Sequence, residues 1–263
     1  MRRWMSLSIM VLVITSAAFA QDARLRRLDT GEDGKAWQAV GRLDIGGTGF
    51  CTGALIAPDL VLTAGHCLFD KTTGVEIDPQ SIEFLAGWRN GRASAYRDVR
   101  RAVVHPEYVF GDGVSSERVR NDLALLQLSQ PIRNSTIAPF GTAARPRKGD
   151  KVSVVSYAKD RSEAPSLQEV CTVLARQEGV LVTSCSVDFG SSGAPIFTIE
   201  RGAAHIVSVV SAKAEVKGDK VSLGTALGAP LARLQAELIA NQSDNRVRVG
   251  GTRNDTAAKF IKP

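Results

Sequence analysis

Asp188-Phe189-Gly190-Ser191-Ser192-Gly193-Ala194-Pro195 is the stretch on which the reading of this chain turns. It stands directly before an apolar run, 196–199, and on that ground alone it is a Gly/Ser turn between two strands, a common device. What the turn presents suggests more. Gly190 lets the chain bend so that successive N–H groups converge, and Gly193 with small Ala194 leaves the Ser192 hydroxyl open to a reactant. Acyl transfer to a serine needs such a hydroxyl, a base for its proton and a carboxylate to hold the base. It also needs N–H groups aimed where negative charge develops.

Two upstream segments offer the missing parts. In Leu62-Thr63-Ala64-Gly65-His66-Cys67 a β run ends in small residues, placing an imidazole at a turn beside a cysteine that could pin it. The chain has only three histidines, His66, His105 and His205, so the choice of base is narrow, although a lone histidine is usually structural. In Asn121-Asp122-Leu123-Ala124-Leu125-Leu126 a carboxylate directly precedes a strongly apolar strand and is carried to the edge of the core. An acid there needs a partner, because an unpaired buried charge is costly. A strand-initiating cap would also account for Asn121-Asp122.

Outward from these segments, short β-rich runs are separated by Gly, Pro, Asp and Asn. The first half offers 37–45, 50–56, 60–63, 82–85, 96–104 and 123–128; the second offers 151–157, 167–174, 180–185, 194–199, 205–211 and 221–227. A hinge with Pro139 and Pro146 divides them at 132–149. Many short strands between turn signals make the chain all-β, a barrel or sandwich architecture, and no intervening helical period supports a parallel α/β sheet. One helix is expected at 230–241, where Leu231, Leu234, Leu238 and Ile239 share a face that would pack on the second half.

The first twenty residues read as an export signal. Arg2 and Arg3 precede a short apolar stretch, and Ala18-Phe19-Ala20 has the small-x-small pattern of a cleavage site before Gln21. The stretch is well short of the about 20 residues a bilayer needs, so no stable membrane anchor is expected and the chain belongs in the periplasm or outside the cell. Without 1–20 there are 31 basic and 27 acidic residues, +4, of which 244–263 supply +3. The body is therefore near neutral, with no basic stripe for nucleic acid. Four cysteines in an exported chain suggest two disulfides, with three connectivities possible. Cys51 with Cys67 and Cys171 with Cys185 keep each bridge within its own half; buried thiols are the alternative. No Cys-x-x-Cys or His-x-x-x-His spacing points to zinc, and no cofactor or metal is expected.

Together the three segments resemble the chymotrypsin/trypsin family of serine proteases, most closely its exported bacterial members. Thr63 to Cys67 match Thr-Ala-x-His-Cys, Asp122 to Leu126 match Asp-hydrophobic-Ala-Leu-Leu, and Gly190 to Pro195 match Gly-x-Ser-Gly-x-Pro, in the family's order. Cys51 to Ile56, Val104-His105-Pro106 and the terminal helix extend the resemblance over about 37–241. It implies two six-stranded antiparallel β-barrels with a C-terminal helix. Residues 21–138 would form one barrel and 139–241 the other with its helix, before a flexible basic tail at 242–263.

It also implies a serine endopeptidase acting on protein or peptide substrates. Ser192 would be the nucleophile, His66 the base, Asp122 the orienting carboxylate, and the N–H groups of Gly190 and Ser192 the oxyanion hole. Ser186 would lie at the base of the primary specificity pocket, with Val210, Ser211, Ala212 and Lys213 along its wall. Val210 stands where glutamate-preferring bacterial relatives carry a histidine, and the pocket is expected to be neutral, favouring an apolar or small residue. Ser191 replaces the aspartate that receives a new amino terminus in the digestive branch, so hydrogen bonds from Ser191 and the Cys171–Cys185 bridge would hold the oxyanion loop instead. A catalytically silent binding protein of the same fold is the rival reading, and an adhesion sandwich the more distant one. Oligomeric state is not legible.

Overall fold

The computed structural model describes residues 25–249 except 48, 112, 144, 145 and 217, with side chains described as far as 241. The expected leader, 1–20, lies outside the described residues, as do positions 250–263 of the expected tail. In chain order the elements are β1 (Leu25–Arg27), β2 (Val40–Ile45), β3 (Gly49–Ala57), β4 (Leu60–Thr63), β5 (Ile82–Ala86), β6 (Ala95–Val104), α1 (Ser116–Asn121) and β7 (Ala124–Leu128). There follow β8 (Gly141–Thr142), β9 (Lys151–Ser156), β10 (Ser166–Gln177), β11 (Val180–Thr183), β12 (Pro195–Glu200), β13 (Ala203–Val216), β14 (Asp219–Ala226) and α2 (Gly228–Val249).

Twelve of these strands close into two antiparallel barrels. The first runs β2-β3-β4-β7-β6-β5 and back to β2. The second runs β9-β10-β11-β14-β13-β12 and closes through β12 onto β9. Each expected strand overlaps one barrel strand. The expected start of the first was early: Trp37 ends a 3-10 turn, Lys35–Trp37, and its strand begins at Val40. The β13–β14 hairpin projects past the expected ends, where the alternation of Ala212 to Val216 involves small residues and exposed charges rather than a buried apolar face.

Period-2 patterning is plain in β6, where Val99 and Val103 are buried and Tyr96, Asp98 and Arg100 are exposed. In β7 all five residues are buried, because α2 packs over β6 and β7. That contact corrects one expectation: the leucine face of α2 lies against the first barrel. Leu231, Leu234 and Leu238 are buried there while Ile239 is exposed, and Arg233 pairs with Glu107 at 3.4 Å. Helical spacing defined the stripe, and chain direction after β14 chose its partner. Buried Gln127 in β7 is compensated on both sides, its Oε1 accepting from Arg100 and Arg101 and its Nε2 donating to Asp59. One apolar cluster runs from the first barrel through Phe140, Tyr157 and Phe197 to α2, and a second fills the other barrel.

Candidate active site

The imidazole of His66 sits in a 3-10 turn, Gly65–Leu68, that begins directly after β4. The Cys51–Cys67 disulfide ties that turn to β3, and Cys171–Cys185 forms in the second half. Asp122 follows α1, a six-residue helix whose N-terminus is capped by the Ser115 hydroxyl accepting from Arg118 N–H at 3.2 Å. The helix carries too few apolar residues for a periodic signal, which is why sequence reasoning passed over it; Ser115 was the available cue. Thr225 of β14 fixes its far end by donating to the carbonyls of Val119 and Asp122, at 2.5 and 3.0 Å.

Here the two segments meet. Asp122 Oδ1 accepts from the His66 main-chain N–H at 2.8 Å, and Oδ2 lies 2.7 Å from His66 Nδ1. Ser211 donates its hydroxyl to the same Oδ2. The Asp122 side chain is 4% exposed and that of His66 16%, so the carboxylate is buried with three donors around it and the ring keeps an open edge. Carboxylate pairing at Nδ1 places that ring nitrogen's hydrogen toward Asp122 and leaves Nε2 as the unprotonated ring nitrogen. Ser211 was expected only as a wall residue; its hold on Asp122, across 89 positions, had no local signal.

Ser192 sits within a turn that only glycine can make at two points. Gly190 has φ +94°, and a Cβ on it would lie 2.4 Å from the Phe50 ring. Gly193 has φ +77°, and a Cβ there would come within 2.1 Å of Thr63 Oγ1 and 2.2 Å of the Thr52 carbonyl. Main-chain bonds then fix the turn on both sides: Thr52 N–H of the first barrel donates to the Ser192 carbonyl at 2.8 Å, and Gly193 N–H donates to the Val210 carbonyl of the second at 2.8 Å. Ser191 N–H is taken by the Asp188 carbonyl at 2.9 Å. Among the described residues no acceptor engages the N–H groups of Gly190 or Ser192, the two expected at an oxyanion hole. Ser191 is fully buried, its hydroxyl 3.2 Å from Ser156 Oγ and the Tyr157 carbonyl and accepting from Asp188 N–H at 3.3 Å.

His66 and Ser192 line one cleft of about 200 Å³ with Val210, Ser211, Ala212 and Lys213. Ser186 lies in a neighbouring cavity of about 460 Å³, its N–H held by Gln168 Oε1 at 2.7 Å. Lys213, expected along the wall, lines that cavity together with Asp160, Arg161, Asp188, Glu215 and Lys220, so charged groups of both signs surround the pocket expected to be neutral. The Asp188 carboxyl is held below the usual carboxylate range, chiefly by hydrogen bonds from Lys213 and from Phe189 N–H. His105 and His205 stand apart: His105 is buried, its Nδ1 accepting from Glu107 N–H, and His205 lies in β13 opposite β8.

A family model described as Trypsin matches residues 29–226. The chain belongs to the trypsin family. Glutamyl endopeptidase of Bacillus licheniformis is 28% identical over 151 residues, 57% of this chain and 45% of the relative. Cathepsin G of Mus musculus is 30% identical over 117 residues, 43% of this chain and 40% of the relative. The chain thus spans less than half the length of these trypsin-family relatives. A solved structure of a Glu endopeptidase in complex with MPD superposes with a TM-score of 0.64 at 17% identity, covering 78% of this chain and 91% of that one, a likeness of fold.

Proposed function

We propose that the protein is an exported serine endopeptidase in which Ser192, His66 and Asp122 act as a catalytic triad. The observation that carries this reading is the pairing of both Asp122 oxygens with His66 in the wall of the cleft that also holds Ser192. Ser192 Oγ would attack the scissile carbonyl while His66 Nε2 takes its proton, giving a tetrahedral intermediate. His66 would then protonate the leaving amine, and water would release the acyl group by the same steps reversed. Asp122 keeps the ring oriented and stabilises its cation. Ser211 acts through Asp122 as a positioning residue.

The free N–H groups of Gly190 and Ser192 support the oxyanion-hole assignment, since such donors act only if no protein acceptor occupies them. Ser191 supports a loop formed without a charged partner, because neutral acceptors already satisfy its buried hydroxyl. Two disulfides in a chain that starts with a signal-like segment favour a secreted or periplasmic location. A fluorophosphonate probe should label the purified protein at Ser192, and the protein should cleave unfolded protein substrates. Normal cleavage by a folded Ser192→Ala protein would overturn the assignment, and absence of both labelling and cleavage would favour a silent binding protein.

A further inference from the structure

The cleft of His66 and Ser192 and the cavity of Ser186 share three residues, Val187, Asp188 and Lys213. Lys213 Nζ lies 2.8 Å from Asp188 Oδ1 and 4.2 Å from the centroid of the Phe189 ring. This ion pair joins β13 to the loop that leads into Ser192, and it stands at the boundary between the nucleophile and the cavity beyond. It therefore borders both the space beside Ser192 and the one beside Ser186.

We propose that Lys213 determines specificity by drawing an acidic side chain, glutamate or aspartate, into this boundary, an inference that rests on the peptidase reading above. The two partners of the ion pair are unequally committed. Asp188 Oδ1 already accepts from Phe189 N–H at 2.8 Å, and the Asp188 main chain bonds Ser191 through both its N–H and its carbonyl. Lys213 has three N–H bonds and, among the described residues, one side-chain acceptor. An entering carboxylate can therefore join or replace Asp188 on the ammonium without disturbing the loop. Both side chains are 52% exposed, and exposed pairs are held weakly, so exchange is easy.

The boundary, with Lys213 and Lys71, favours an anion over a cation, while the inner cavity beyond it balances Arg161 and Lys220 against Asp160 and Glu215. Arg161 lines the inner cavity with a side chain only 12% exposed; its Nη1 pairs with Asp160 at 2.8 Å, while its buried Nε and Nη2 have no partner among the described residues. Lys71 lines the outer cleft. A basic substrate side chain would have to displace Lys213 from Asp188 and then sit among Lys213, Arg161 and Lys71. Asp188 opposes an acidic guest, but its carboxylate is half exposed and can stay with water and Phe189 N–H. Val210 offers no polar atom of its own to this task and is buried at 2% exposure, leaving the recognition to Lys213.

The test is a set of peptides identical except for Glu, Gln or Lys on the acyl side of the cleaved bond. The kcat/KM of the wild type should favour Glu over Gln by about tenfold or more, the scale of one charge-assisted hydrogen bond, and Lys213→Met should bring that ratio to within about twofold of unity. Lys213→Glu should turn the preference toward Lys. Taking the ratio within one protein cancels any general loss of turnover, and Lys213→Gln serves if the methionine variant folds poorly. A wild-type ratio near unity, or the same ratio in Lys213→Met, overturns the proposal. Calorimetry of the uncleaved Glu and Gln peptides with Ser192→Ala protein separates it from the peptidase reading. Preferential binding of Glu without cleavage by the wild type removes the peptidase and keeps the site; cleavage without acid preference does the reverse.

Discussion

One wall of the cleft is held by side chains and the other by backbone. On the His66 wall a carboxylate with 4% of its side chain exposed gathers a main-chain N–H, an imidazole and a hydroxyl, and Thr225 pins the helix that delivers it. On the Ser192 wall two left-handed glycines and a ladder of main-chain bonds set the geometry, while the side chains around them include a half-exposed ion pair. A buried polar network tolerates no missing member, since each loss strands another group in low dielectric. A backbone turn tolerates changed side chains and fails when a Cβ is added. The first wall therefore tolerates side-chain change poorly, and the second tolerates it well.

The largest test of this contrast removes the proposed nucleophile and base. Ser192→Ala and His66→Ala should each lower kcat by roughly 10⁶-fold with the fold intact, and the double variant should be little worse, as expected of groups that work as one unit. Single-turnover kinetics on protease-free preparations would check it; additive losses would separate the two walls functionally.

Next comes Gly193→Ala, which should act through folding. Its Cβ would meet the Thr52 carbonyl and Thr63 hydroxyl in a left-handed conformation, at a cost of about 3 kcal/mol or more. Urea unfolding reads it, and stability close to wild type would show that the turn can relax.

Ser211→Ala probes the other wall without touching its charge. Loss of one hydrogen bond to a buried carboxylate should cost about 1.5–3 kcal/mol, and we expect it mainly in kcat rather than KM. Ser211→Thr should recover part of the rate. An equal rise in KM would place Ser211 in substrate contact instead.

The smallest effect is in stability against pH. Burial pushes the His105 imidazole below its ordinary range, so the folded state disfavours its proton. With the folded value below the unfolded one, its contribution is complete above about pH 6.5 and shrinks as pH falls toward the folded value, by at most about 1.4 kcal/mol per pH unit. His105→Gln should flatten the loss of stability between about pH 6.5 and 5; an unaltered slope would assign that loss to other groups.

Much of this was legible because it is local. Strand alternation, turn glycines and the Thr63 to Cys67, Asp122 to Leu126 and Gly190 to Pro195 segments announce twelve strands and the three residues of the proposed triad at their places in the chain. β8 has two residues and α1 six, too short for any period to register. The sequence alone determined which residue types exist to do chemistry and where glycines allow a turn; that nothing but glycine serves at positions 190 and 193 was decided by the neighbours Phe50, Thr52 and Thr63. Tertiary structure decided who meets whom. Asp122 reaches His66 across 56 positions and Ser211 across 89, and Lys213 finds Asp188 across 25. Those meetings, like the seating of α2 on the first barrel, depend on strand registers and on the closure of two sheets. Such registers are set by the summed packing of whole barrels, and no local period encodes them.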